Sequence, residues 1–295
     1  MKPYCYTPQS FTKHLFILTT LIGTSTAYAE QIIITDGRSG HVIDGQSVGR
    51  IDVWNKGTGV DIKNTTANGS VTYVNGPQGN IENTTINCTT SGCSGLMVQG
   101  TQTIATSVTG DGINISAMGD GLYITGSSSV DLTNVTISSG SHGLDLNGSV
   151  AGKDFANMTK IDGFDITAGK YGVYAMFGSQ VELSNGTITT TADKGIGIYL
   201  GGANYRGDEP LQTTAKMNNV TVHTKGNNAY GVYSAQMSGS NGGPNRGAVS
   251  LWDHSNIITE GDGSSGIIGS YSWNTITLTN GSTVMTSGNN DLPTF

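Results

Sequence analysis

Three groups of residues in this chain have the types and spacing to do chemistry. The first is Arg206-Gly207-Asp208, set between Tyr205 and Glu209-Pro210. It offers a guanidinium and a carboxylate on opposite sides of a small bend, and Pro210 with the nearby glycines favours an exposed turn. A receptor of the integrin type reads such a tripeptide by letting the carboxylate complete a metal site. Arg246 lies in a second Gly- and Asn-rich stretch of the same kind. The second group is a column two places after a recurring glycine: Met97, Tyr123, Asp145, Tyr174, Gly197, Tyr233 and Ile268. Their neighbours on both sides point inward, so these side chains point outward. A line of exposed tyrosines can stack on sugar rings, or it can simply brace the strands that carry it. The third is His142, in Ser141-His142-Gly143.

Catalytic chemistry finds little support beside these. Glycan cleavage needs paired carboxylates at a sugar bond, or calcium-binding aspartates beside a basic residue. The chain has five Glu, and its Asp residues fall mostly in turns such as Gly110-Asp111-Gly112. His142 has no Asp-Asp pair or Arg-x-Lys in the sequence to go with it, so it reads as a turn residue. No His/Asp set accompanies a serine at recognisable spacing. No catalytic residue, metal or cofactor is expected. Cys88 and Cys93 are too few to close a tetrahedral zinc shell. In an oxidising compartment they read as a disulfide across one tight turn, the alternative being two free buried thiols.

The elements that must position these residues repeat. A glycine followed by apolar–x–apolar recurs at Gly95, Gly121, Gly143, Gly172, Gly195, Gly231 and Gly266. A short strand precedes each, for example Thr136-Ile137-Ser138 and Thr187-Ile188-Thr189. From the third copy a further strand often comes first: Val130–Leu132, Val181–Leu183, Val249–Leu251 and Ile276–Leu278. Period-2 strands with Gly/Asn/Ser turns, repeating every 22 to 36 residues, signal a solenoid. The fold class expected is all-β, a right-handed parallel β-helix with three short strands per rung. About eight rungs stacked at about 4.8 Å span roughly 40 Å.

Composition sets limits on the partners. Charged residues make up 12%, net charge is −7 and four residues are arginine, which disfavours nucleic acid. Residues 1–29 read as a secretory signal peptide. Lys2, Lys13 and His14 precede the apolar run Leu15–Ile22, and Ala27-Tyr28-Ala29 offers a cleavage site before Glu30. Residues 30–75 have strand character without a clean period and read as a cap with irregular first rungs. Residues 76–295 read as the regular solenoid, with an incomplete last rung. Three excursions share one corner: Gly148–Asn157, Gly201–Thr213 and Ser238–Gly247. Equivalent insertions on one solenoid face often form the binding face.

Signal, Thr/Asn/Gly-rich rungs, low charge and one close Cys pair resemble the passenger domain of a Gram-negative autotransporter, nearest the pertactin-like or AIDA-like adhesins. The resemblance implies export through the periplasm to the cell surface, outer membrane or medium. It also implies an outer-membrane translocator barrel, for which no alternating lipid-facing strands occur before Phe295. The function expected is binding, as an adhesin, to a host cell-surface receptor or glycan. The alternatives are a polysaccharide lyase or glycosidase, and a structural stalk.

Overall fold

The computed structural model describes residues 30–101, 103–150, 153–154, 157–202, 212–235, 247–270 and 274–289. The leading segment 1–29 lies outside them. Ten strands form the first sheet, stacked in chain order: Ile32–Ile34, Ile51–Trp54, Val71–Val74, Leu96–Gln99, Leu122–Thr125, His142–Asn147, Tyr171–Met176, Ile196–Gly201, Tyr230–Ala235 and Ser265–Ser270. Every neighbouring pair in it is parallel. The second sheet carries the rest of each coil. Its longest strands, Thr106–Ala117, Ser128–Ser139, Met158–Ala168, Gln180–Thr190 and Thr214–Thr224, run the second and third faces as one. The fold is a parallel β-helix.

Between the second and third faces the chain turns on a single residue. Gly112, Asn134, Gly163, Asn185 and Asn219 occupy this corner with φ of 65°, 53°, 70°, 56° and 55°. Only Gly and Asn enter that left-handed region readily, which explains their alternation here. The Asn side chains also bond between coils. Asn134 Nδ2 donates to Asp111 Oδ1 at 2.8 Å, Asn185 Nδ2 to Asp162 Oδ1 at 2.7 Å, and Asn219 Nδ2 to Asn185 Oδ1 at 2.9 Å. A one-residue corner leaves the ladder almost unbroken, so three short strands often merge into a short one and a long one.

The core is built from columns. Ile86, Ile115, Ile137, Ile166, Ile188, Val222 and Ile257 stack in register along the third face, all buried. The recurring glycine faces them from the first sheet. A Cβ on Gly95, Gly121, Gly143, Gly172, Gly197, Gly231 or Gly266 would collide with a γ-carbon of Ile115, Ile137, Ile166, Ile188, Val222, Ile257 or Val284 respectively. The glycine is thus required by close approach of two walls, not by a turn.

Three readings of the sequence change. The fifth repeat glycine is Gly197 and not Gly195: Tyr171 pairs with Ile196 and Val173 with Ile198. Gly195 belongs to the turn before the strand, where its amide donates to Ala192 O at 3.0 Å. The motif Gly195-Ile196-Gly197-Ile198 fits either frame, and packing selects the frame that puts Gly197 against Val222. In the strand Val249–Asp253, Ser250 and Trp252 face the core while Leu251 is 43% exposed. The expected inward pair Val249 and Leu251 therefore points outward, because burying the Trp252 indole outweighs burying two aliphatics and a one-residue shift exchanges the faces. Residues 30–75 are not irregular. Ile32–Ile34, Ile51–Trp54 and Val71–Val74 join the first sheet in continuous register, and Ile43, Ile62 and Ile81 stack in its partner. Weak alternation in their sequence hid this, since Asp52 and Thr72 are themselves buried.

Cys88 and Cys93 are joined as a disulfide with Cα atoms 5.6 Å apart. The Cys88 carbonyl accepts from Met118 N at 3.0 Å and the Cys93 carbonyl from Gly119 N at 2.9 Å, so the closed loop is tied to the next coil.

Two outcomes follow. Gly172→Ala is expected to destabilise the protein by about 1–3 kcal/mol through overpacking against Ile188 and the Gly197 carbonyl, of which only the first is relieved by shortening Ile188. In an Ile188→Ala background that increment shrinks; strictly additive costs in urea titrations would place the strain elsewhere. At the corner, the hydrogen bond from Asn185, then that from Ser184, holds Asp162 below the usual carboxylate range; Thr133 and Asn134 do the same for Asp111. A depressed folded-state value means stability present above the ordinary carboxylate range and lost as pH falls through the depressed one. Asp111→Asn with Asp162→Asn should therefore flatten the loss of stability below about pH 4, read as urea midpoints between neutral and acid pH.

Candidate functional site

Two outward columns run side by side along the first sheet. The residue before each glycine gives Ser94, Asp120, His142, Tyr171, Ile196, Tyr230 and Ser265. The residue two places after it gives Met97, Tyr123, Asp145, Tyr174, Tyr199, Tyr233 and Ile268. The second column was legible in the sequence except at one rung, where Tyr199 stands in place of Gly197. Gly197 is buried against Val222 instead. The first column went unread, because it precedes the motif and shares no residue type.

The tyrosines form a ladder of rings. Tyr174 stacks on Tyr199 with centroids 4.8 Å apart and planes 20° from parallel, and Tyr199 stacks on Tyr233 at 5.6 Å and 6°. His142 continues the pile over Tyr174 at 5.2 Å and 14°. Tyr171 and Tyr230 lean against it from the neighbouring column. Ring faces are thus spent on one another, and the ladder presents edges and hydroxyls to solvent. Sugar rings have edges to bond to here, not faces to stack on. Burial, followed by the neighbouring Tyr199 hydroxyl and the Asp145 charge, pushes the Tyr174 phenol up to about 12. It is a hydrogen-bond donor at neutral pH.

Where the ladder ends, three polar side chains converge. His142 Nδ1 lies 2.8 Å from Asp120 Oδ1 and 3.4 Å from Asp145 Oδ2, and all three groups are four-fifths or more buried. Asp120 and His142 come from successive coils, while Asp145 stands three residues after His142. The His142 amide donates to Asp120 Oδ1 at 3.3 Å, which fixes that carboxylate. Neither carboxylate is in line with a ring N–H at Nδ1, so the contact is an ion pair and not an aligned hydrogen bond. Burial alone would favour neutral imidazole, but Asp120 and then Asp145 outweigh it and raise His142 to about 9. Burial acts to raise Asp120, and the attraction of His142 overcomes it to hold that carboxyl below its ordinary value. Tyr123 is pushed up by burial and then by Asp145.

The sequence alone gave His142 no carboxylate partners; the register of the coils supplies two. The excursions expected to share one corner do so at their roots. Gly202 N donates to Ala235 O at 2.7 Å as two of them leave adjacent strands of the first sheet, and Val249 N donates to Thr213 O at 3.0 Å where they return. The earlier excursion leaves after Asn147, at the end of the strand that carries His142 and Asp145. Arg206, Gly207, Asp208 and Arg246, with the signal-cleavage residue Ala29, lie outside the described residues; Glu30 begins them and is exposed. On the opposite face, Glu182 bridges Lys160 at 3.6 Å and Lys216 at 2.7 Å beside a shallow groove of about 590 Å³ reaching Leu251 and Asp253.

A family model described as a right handed beta helix region matches residues 94–262, more than half of the chain. No curated protein matches. Among solved structures the chain is similar to a chain of the Vag8–C1 inhibitor complex, seen by cryo-electron microscopy. Identity is 10%, over 82% of this chain and 65% of that one, with a TM-score of 0.49. It is also similar to the periplasmic alginate epimerase AlgG, at 13% identity over 87% of this chain and 76% of that one, with a TM-score of 0.40. At such identities and scores neither likeness bears on what this chain does.

The ring ladder carries its own test. Tyr199 touches Tyr174, Tyr233 and Tyr171, so Tyr199→Ala should cost about 2 kcal/mol while Tyr199→Phe stays within about 0.5 kcal/mol of the parent. Equal losses for the two in urea titrations would place the stabilisation in the hydroxyl and not in the stack.

Proposed function

We propose that this chain, which belongs to the right-handed β-helix family, is the passenger part of an exported, surface-displayed adhesin of the autotransporter kind. It binds a host receptor or glycan and does so along the outer face of the first sheet. The observation that carries the reading is positional. The excursions rooted at Gly202 and Ala235 leave from the ends of the strands bearing Tyr199 and Tyr233, and the one after Asn147 leaves from the strand bearing His142 and Asp145. A rigid ladder of edges and hydroxyls therefore borders the corner at which the segments 203–211 and 236–246 are rooted, an arrangement suited to recognition. Arg206-Gly207-Asp208 and Arg246 sit in those segments. The pertactin-like or AIDA-like class, the secretory signal at 1–29 and the surface destination belong to this reading, supported by the sequence features that suggest them.

A second reading is favoured by a specific observation. Asp120, His142 and Asp145 meet among tyrosines on an open face of a β-helix, so a polysaccharide-cleaving enzyme has a place to act. Against it stands the ionisation. General acid catalysis on a glycosidic bond draws on a carboxyl held protonated near neutral pH, and Asp120 is held the other way.

One experiment separates them. Replacing 203–211 and 236–246 with the tight turn used at Gly126–Ser129 should abolish attachment of the purified protein to host cells, with far-ultraviolet circular dichroism unchanged. Undiminished attachment by the trimmed protein would overturn the adhesin reading. Release of reducing ends from a polysaccharide panel, lost in Asp145→Asn, would establish the second.

A further inference from the structure

From the convergence of Asp120, His142 and Asp145 we propose a binding site for a divalent transition-metal ion of the zinc class. It rests on the geometry of these three side chains and not on the adhesin reading. One imidazole nitrogen and one oxygen from each carboxylate lie mutually within 4.8 Å. Donors 2.0–2.1 Å from a tetrahedral zinc ion stand about 3.3 Å from one another. His142 Nδ1 is 2.8 Å from one oxygen and 3.4 Å from the other, values that bracket this edge. A small movement of the carboxylates completes three corners of the tetrahedron.

Three further observations point the same way. His142 Nδ1 is buried, yet neither neighbouring oxygen is aligned with it for a hydrogen bond. Second, the ligands are held before any ion arrives. The imidazole lies flat on the Tyr174 ring, the His142 amide binds Asp120, and Ser94 Oγ reaches Asp120 Oδ2 at 3.5 Å. Outer contacts of that kind orient metal ligands. Third, the charges balance. An ion that displaces the His142 proton meets two carboxylates and a neutral imidazole, together −2, which a divalent ion cancels in a largely buried place where uncompensated charge is costly. The imidazole selects for zinc, cobalt or nickel over calcium and magnesium, which prefer six or more oxygens.

Three protein ligands leave a fourth position open, as in sites where zinc holds water or a ligand atom. The other histidine–carboxylate contacts among the described residues are simple pairs: His41 with Asp36, His223 with Glu260, His254 with Asp253.

The test uses chelator-treated whole protein titrated with Zn²⁺ by calorimetry and with Co²⁺ by visible absorption. The proposal expects one equivalent per chain, a tetrahedral cobalt band and a higher melting temperature with zinc. Asp145→Asn and Asp120→Asn should each weaken zinc binding by more than about 10-fold, and His142→Gln should remove the cobalt band. His223→Gln, on another face, should change neither. Circular dichroism checks that each variant folds, and either Asp variant suffices should the other fail. No saturable equivalent, binding unchanged in both Asp variants, or calcium taken in preference to zinc would each overturn the proposal.

Discussion

One contact governs this molecule: the meeting of a bare glycine backbone on the first sheet with a β-branched side chain on the third face. The two walls come so close that a methyl group at Gly121 would strike both Ile137 and the carbonyl of Gly143. Hydrogen bonds between parallel strands fix the spacing of the coils, but they are indifferent to register. The glycine–isoleucine column is not. It accepts one residue per coil, and from Gly95 to Gly266 each coil delivers a glycine to it, however long the loops between, while the three earlier coils carry Gln31, Arg50 and Ser70 there.

The outer face follows from that constraint. Once Gly121, Gly143, Gly172, Gly197 and Gly231 are aligned, the residues before them and two places after them are aligned as well. Asp120 then stands beside His142, and Tyr174 beside Tyr199. Stacked rings at 4.8 and 5.6 Å match the distance between strands, so the ladder reinforces the spacing it depends on. The Asp/Gly and Asn corner does the same on the far side, where each carboxylate ties down the Asn of the next coil. The face that results is stiff, polar at its edges, and bordered by the roots of the long excursions.

Much of this architecture could be read in the sequence, because a recurring glycine with apolar alternation survives variation in loop length. The class of fold, the outward tyrosine column and the shared corner for excursions were visible there. The frame of the fifth coil was not, since Gly195 and Gly197 both satisfy the motif and only the space beside Val222 chooses between them. The strand with Trp252 was misread for a related reason: its pattern of apolar residues fits both faces, and the volume of one indole decides. The Asp120–His142 pair was hidden more deeply. Residues 22 apart become neighbours only if that coil is 22 residues long, and coil length is a consequence of register. Buried Thr72 and Asp52 likewise blurred the alternation of the early coils, whose regularity shows only in their pairing.

The register itself can be measured without any ligand. Residues paired across parallel strands have Cα atoms about 5 Å apart, within reach of a disulfide. Cysteines placed at Tyr174 and Tyr199 should link on mild oxidation of the folded protein. If that pair stayed as two free thiols while cysteines at Tyr174 and Gly197 linked, the glycine column would be wrongly placed, and the assembled face of Asp120, His142, Asp145 and the tyrosines would fall with it.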